Sequence, residues 1–151
     1  MKWVTRAHIH VNRTATAWLI RRFLDPNGSL AFVAPDEVAK IEIAEGATGF
    51  DAPGARYPHR DEKGRCSFEQ LVDEYFPGDS ALKALGKIVH GADFPAEMDI
   101  TRESPGLWAI SQGFSDAAPS DDEILDRASF LYDSLYAHLR HRLLNGPGAT
   151  E

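Results

Sequence analysis

The stretch KWVTRAHIHVNRTATAWLIRRFLDPNGSLAFVA, residues 2–34, decides the fold class. Lys2 to Val11 alternates loosely, with Trp3, Thr5, Ala7, Ile9 and Val11 on one side, which is the period of a first strand. Thr14 is placed to cap the helix that follows, in which Ala15, Trp18, Leu19 and Phe23 share one face. Asp25-Pro26-Asn27-Gly28 is a turn signal, and Ser29 to Ala34 is an apolar run short enough for a second strand. Pro35-Asp36 opens a short helix that Gly46 can end, and Ala47 to Ala52 reads as a third strand. Its Phe50-Asp51 end puts a carboxylate at a strand terminus, where α/β folds often place functional groups.

After a polar loop, 53–65, helical periodicity takes over. Ser67 to Phe76 turns Phe68, Leu71, Val72 and Tyr75 inward. A helix from Asp79 or Ser80 turns Leu82, Leu85, Val89 and Ala92 inward. Glu103 to Gly113 also reads as a helix. Ser120 and Glu123 form a capping box ahead of Ile124, Ala128, Leu131, Leu135 and Leu139. The expected fold is mixed α/β: a small sheet from the N-terminal half covered by helices, with a helical C-terminal half. One domain is expected over 1–144, with 145–151 as a flexible tail.

Hydrophobic residues make up 43% and charged residues 26% of the 151, enough apolar material for one sizeable core. No apolar stretch is long enough to cross a bilayer. The N-terminus is interrupted by Arg6, Arg13, Arg21 and Arg22 and does not read as a secretory signal. A single cysteine excludes an intrachain disulfide, so a cytoplasmic location is expected. The net charge of −7 argues against non-specific nucleic-acid binding. Residues 1–24 nevertheless carry five cations and no acid. Such a segment either attracts a small anion or pairs with acids elsewhere in the fold.

His90 and Asp93 stand at i and i+3 near a helix end, so both can reach one ion. The alternative is a helix-terminal His with a local Asp cap. Cys66 and Glu69 repeat that spacing on the side opposite Phe68, Leu71 and Val72, which is either solvent or a site floor. Arg65 and a helix N-terminus beside Cys66 would lower its pKa and favour a reactive or ligating thiolate. A lone cysteine is otherwise an inert small hydrophobe. His59 lies in a loop able to fold back towards this group. His8 and His10 share one side of the first strand, but Arg6 on that side would repel a cation. His138 and His141, beside Arg140 and Arg142, fit the dipole at a helix C-terminus. The sequence has no P-loop, Gly-x-Gly-x-x-Gly, Gly-x-Ser-x-Gly or Cys-x-x-Cys pattern.

Trp3-Val4-Thr5-Arg6, Asn12-Arg13-Thr14-Ala15 and Trp18-Leu19-Ile20-Arg21-Arg22-Phe23 resemble the opening of the chromate-resistance ChrB C-terminal domain. Phe50-Asp51, Pro53-Gly54, His59-Arg60, Arg65-Cys66-Ser67-Phe68-Glu69 and Ile88-Val89-His90 with Asp93 extend the resemblance to about residue 140. It implies a role in chromate resistance or chromate-responsive regulation. Full-length members carry a further N-terminal half, so direct DNA binding is not expected of this chain alone. Where many relatives read Asp-Arg-x-Ala-Cys-Pro-Trp, this chain has Asn12, Thr16 and Ala17 in place of the acid, cysteine and proline. A dithiol mechanism with Cys66 is therefore excluded within one chain. Gly91 stands where relatives often have a further Asp.

The expected site is a divalent transition-metal centre, with Zn, Mn or Fe held by His59, Glu69, His90 and Asp93. Cys66 would be a thiol ligand or redox neighbour. Arg6, Arg13 and Arg21 would attract a small oxyanion such as chromate. A metalloenzyme, a non-catalytic oxyanion or redox sensor and a structural accessory module are the alternatives. A homo-oligomer is left open, and no membrane partner is expected.

Overall fold

The computed structural model describes residues 1–145; the part of the expected tail from residue 146 onward lies outside the described residues. Strands β1 (Lys2–Arg6), β2 (Ser29–Val33) and β3 (Thr48–Gly49) form a parallel sheet in the order β2-β1-β3. Among the described residues there are seven α-helices: α1 (Val11–Leu19), α2 (Val38–Glu45), α3 (Ser67–Tyr75), α4 (Ser80–Asp93), α5 (Ser104–Gln112), α6 (Phe114–Ala117) and α7 (Asp121–Asn145). The fold is mixed α/β, with the sheet at the N-terminal end and helices dominating after residue 66. Among the described residues no helix is long and apolar enough to cross a membrane.

Alternation along β1 sets the two sides of the sheet, because successive side chains point to opposite faces. Val4 packs with Val38, Ala47, Ala52 and Ala55 in a small cluster under α2. Trp3 joins the main core with Trp18, Phe50, Phe68, Leu85 and Tyr132. Helix α1 runs through that core and is buried at every position except Arg13, which is almost enclosed as well. Its polar residues are therefore satisfied internally: Thr14 Oγ1 bonds Tyr132 Oη at 2.6 Å, and Thr16 Oγ1 bonds Ser67 Oγ at 3.1 Å.

Three local expectations are corrected. The first strand stops at Arg6 rather than Val11, because His8 takes φ +62° and breaks the extended backbone. The Asp121 carboxylate accepts from the backbone N–H of both His8 and Ile9 at 3.0 Å and holds that bend. His8 and His10 consequently do not share a strand face. Helix α1 starts at Val11, so Thr14 lies inside its first turn and donates to His10 O at 2.6 Å instead of capping. The third strand keeps only Thr48–Gly49, because Asp51 adopts φ +51° and turns the chain.

Other signals are met. Asp79 caps α4 through Leu82 N at 2.9 Å, and Gly46 ends α2 with φ +65°. Half of the Ser120–Glu123 box forms: Ser120 Oγ accepts from Glu123 N at 3.2 Å, while the Glu123 carboxylate pairs with Arg127. Tyr75 is the exception on α3, at 44% exposure. Gly91 faces the start of α5, where a Cβ would come within 2.4 Å of Ser104 Oγ. Residue 91 thus serves helix packing.

Candidate functional site

The C-terminal ends of β1 and β3, the N-terminus of α1 and the last turn of α4 converge on one side of the molecule. Arg6 ends β1, Asp51 follows β3, Arg13 lies in the first turn of α1, and Asp93 is the last residue of α4. Asp51 is 2% exposed and collects three cationic groups. His59 Nδ1 is 2.6 Å from its Oδ1, Arg6 Nη2 is 3.4 Å away, and Arg13 Nη1 lies 3.5 Å from Oδ2. Arg6 Nε also donates to the Asp51 carbonyl at 2.6 Å, which holds the turn in its left-handed conformation. The hydrogen bond that His59 Nδ1 donates to the Asp51 carboxylate raises the His59 pKa, against an opposing effect of burial.

Asp93 stands beside this group with Oδ2 3.5 Å from His59 Nδ1. Burial, reinforced by the negative Asp51, pushes its pKa up to about 6. Ligand-capable atoms of Asp51, His59 and Asp93 all lie within 4.8 Å of one another. Asp51 and Asp93 border a cavity of about 250 Å³, lined also by Arg6, His10, Asn12, Arg13 and Trp108, among others. Burial lowers the Arg13 pKa, an effect that Asp51 opposes.

The other two sequence-predicted ligands meet in a second group. His90 Nδ1 is 2.6 Å from Glu69 Oε1, and His90 Nε2 is 3.2 Å from Glu97 Oε1. Glu69 Oε1 also accepts from Cys66 N at 3.1 Å, so the Cys66-to-Glu69 spacing forms a capping box at the start of α3. Atoms of Cys66, Glu69 and His90 likewise fall within 4.8 Å. The Phe94 ring separates the two groups, with centroids 5.1 Å from His59 and 4.6 Å from His90.

The electrostatics of Cys66 reverse the expected direction. The thiol is fully buried, and desolvation, with the nearby Glu69 charge, pushes its pKa well above the usual value. Arg65, the anticipated activator, is engaged by Asp61 at 2.6 Å and Asp73 at 2.8 Å. Arg21 lies apart from Arg6 and Arg13: it pairs with Asp126 of α7 at 3.0 Å and does not line the cavity. Asp51 was visible in the sequence as a strand-end carboxylate, but its pairing with His59 was not. Glu97, Asn12 and Trp108 carried no distinguishing local signal.

The ChrB C-terminal domain family model matches residues 3–139. Protein ChrB of Cupriavidus metallidurans is 36% identical over 138 residues, covering 91% of this chain and 40% of that protein. The chain thus spans well under half the length of this relative. No solved structure matches. The blocks that shape the cavity, from Trp3-Val4-Thr5-Arg6 through Asn12-Arg13 to Asp93, all fall inside the matched range, and the chain belongs to the ChrB C-terminal domain family.

Proposed function

We propose that this domain binds a divalent transition metal together with a small oxyanion, in the cavity between Asp93 and the start of α1. One observation carries the reading. Among the described residues, three buried side-chain polar atoms lack a hydrogen-bond partner: Asn12 Nδ2, Arg13 Nε and Asp93 Oδ2. All three residues line the same cavity. Leaving such groups unmade is costly in a folded protein, so their convergence points to a ligand. The set contains two donors and one carboxylate oxygen. A cation answers the carboxylate, and an anion answers the donors.

Asp93 and His59 would hold the metal, with Asp51 as a third ligand or as the carboxylate orienting His59. The nitrogen and oxygen set suits Zn, Mn or Fe. Three protein ligands leave coordination positions free, as a metalloenzyme would need. Arg6, Arg13 and Asn12 would face the oxyanion, and the family resemblance makes chromate the oxyanion of interest. Glu69 and His90, with Cys66, form a second and weaker metal position, because binding there first breaks their mutual hydrogen bond. Arg21 would act only as a distant contributor to the positive field.

The test is equilibrium dialysis of metal-stripped protein against Zn(II), Mn(II) and Fe(II), followed by elemental analysis. Retention of at least one equivalent, reduced in Asp93→Asn, is the expected result. Protein that holds none of the three metals would overturn the metal half of the proposal. Trp108 fluorescence then reports anion entry, with molybdate and sulfate as colourless tetrahedral probes. A saturable response without metal would favour the second reading, a sensor whose Arg6, Arg13 and Asn12 bind the anion alone.

A further inference from the structure

A second cavity, of about 470 Å³, lies on a different part of the surface. Its walls come from α4, from the segment 100–103 ahead of α5, and from Arg142 near the end of α7. Ala84 and the half-exposed Ile100 supply apolar surface over the buried Ile88, while Lys83, Lys87, Arg102 and Arg142 supply four cations. Glu103 is the one acid among the lining residues. In a chain of net charge −7, this is a local reversal of sign.

Among the described residues, no carboxylate forms an ion pair with these cations. Nearly every other arginine of the described residues is engaged by a carboxylate or an aromatic ring, from Arg6 on Asp51 to Arg140 over Tyr136. Among the described residues, Lys83, Lys87, Arg102 and Arg142 make no ion pair or side-chain hydrogen bond, and Arg142 also suits the negative end of α7. Lys83 and Lys87 stand at i and i+4 on α4, where like charges repel.

The walls are also held in place. Ser104 Oγ donates to Ile88 O at 2.8 Å in the buried interior and ties the 100–104 segment to α4. Thr101 Oγ1 accepts from Ser104 N at 3.0 Å and fixes the turn that carries Ile100 and Arg102. Gly91 permits this approach, since a Cβ there would lie 3.0 Å from Ile100 Cγ1. The floor and the rim are thus preorganised, which lowers the ordering cost of binding.

We infer that this groove binds a phosphorylated amphiphile, with an aliphatic body on Ala84 and Ile100 and a phosphate among Lys83, Lys87, Arg102 and Arg142. The volume falls in the range of small-ligand sites. The guanidinium fork of arginine suits phosphate oxygens, and lysine adds point charge. The floor offers aliphatic rather than aromatic contacts, so an alkyl chain fits it better than a stacked base. Such a ligand can be a free organic phosphate or a lipid headgroup with the first carbons of its chains.

Isothermal titration of the full chain with hexyl phosphate, inorganic phosphate and hexanol tests the chemistry. Hexyl phosphate is expected to bind at least tenfold tighter than inorganic phosphate, with no saturable binding of hexanol. Flotation with phosphatidic acid or phosphatidylcholine vesicles separates the two sources: capture by phosphatidic acid alone assigns the lipid, and capture by neither assigns the free phosphate. The Lys83→Glu/Lys87→Glu variant changes only exposed side chains and is expected to weaken hexyl phosphate at least tenfold. Asp93→Asn is expected to leave it unchanged, so this inference and the metal reading fail separately. Absence of saturable hexyl phosphate binding, equal affinity for inorganic phosphate, or an unaffected double variant would overturn it.

Discussion

Two groups of the same chemical types sit on either side of Phe94, and their bonding differs. The Glu69–His90 group is closed. Both His90 nitrogens face carboxylates, and Glu69 also caps α3 through Cys66 N. The Asp51–His59–Asp93 group is open: Asp93 Oδ2, 3.5 Å from His59 Nδ1, makes no hydrogen bond, and its cavity is also lined by Asn12 and Arg13, whose Nδ2 and Nε lack one too. Histidine with carboxylates is therefore not a sufficient mark of a ligand site. A closed set stabilises the fold through its own hydrogen bonds, whereas an open set keeps a cost that a ligand can remove.

The sharpest way to break that comparison is to disable each side and measure metal affinity. Asp93→Asn is expected to weaken the tightest metal site by about 100-fold, in the range seen when metal-site groups are lost. Glu69→Gln is expected to change it by less than about threefold. Equal losses in calorimetric titration would show that the two groups act as one centre.

Stability should respond in the opposite pattern. Glu69→Ala removes both the partner of His90 and the cap on Cys66 N, and should cost about 2–3 kcal/mol in urea denaturation. A loss below about 0.5 kcal/mol would mean that the closed group does not stabilise the fold.

The open group adds a pH signature in metal-free protein. The folded-state pKa of Asp93 is raised to about 6, so folding favours its protonated form. Its contribution to stability is full below the unfolded pKa and is lost as pH rises through about 6. His59 acts in the same direction: its raised pKa favours the charged form, and that gain fades at higher pH. Asp93→Asn should therefore stabilise the metal-free protein by about 1–2 kcal/mol at pH 8 and by nothing at pH 3. Denaturation midpoints at both pH values check this, and a destabilised variant at pH 8 would count against the buried, unmatched carboxylate.

The smallest expected effect concerns Arg21. Its pair with Asp126 is solvent-exposed on both sides, so Arg21→Ala should cost about 0.5 kcal/mol or less. Molybdate titration should also separate it from Arg13. Arg13→Ala should weaken the anion response about 10- to 100-fold, in line with the ~1.5–3 kcal/mol of a charged hydrogen bond, while Arg21→Ala leaves it unchanged.

Much of the fold was legible where one local rule acts. Asp79 and Gly46 bound their helices through capping chemistry, and the inward residues of α4 followed the helical period. The misread ends of β1 and β3 share a cause. At His8 and Asp51 positive φ is held by distant partners, Asp121 in one case and Arg6 in the other, which no local pattern reveals. The reversal at Cys66 has the same origin. Its neighbour Arg65 is adjacent in sequence, but Asp61 and Asp73 engage that charge and the core removes water from the thiol.

The sequence by itself determined the mixed α/β class, the capped helices, the family and the pool of histidines, carboxylates and arginines from which a site can be drawn. Periodicity, capping and motif order are local properties, and local properties survive in a one-dimensional string. Only the tertiary structure decided that His59 pairs with Asp51, that Glu69 and His90 close on each other on the far side of Phe94, and that Arg21 turns to Asp126. Those choices depend on which polar groups remain without partners once the chain is packed. That hydrogen-bond balance is set by contacts between residues distant along the chain.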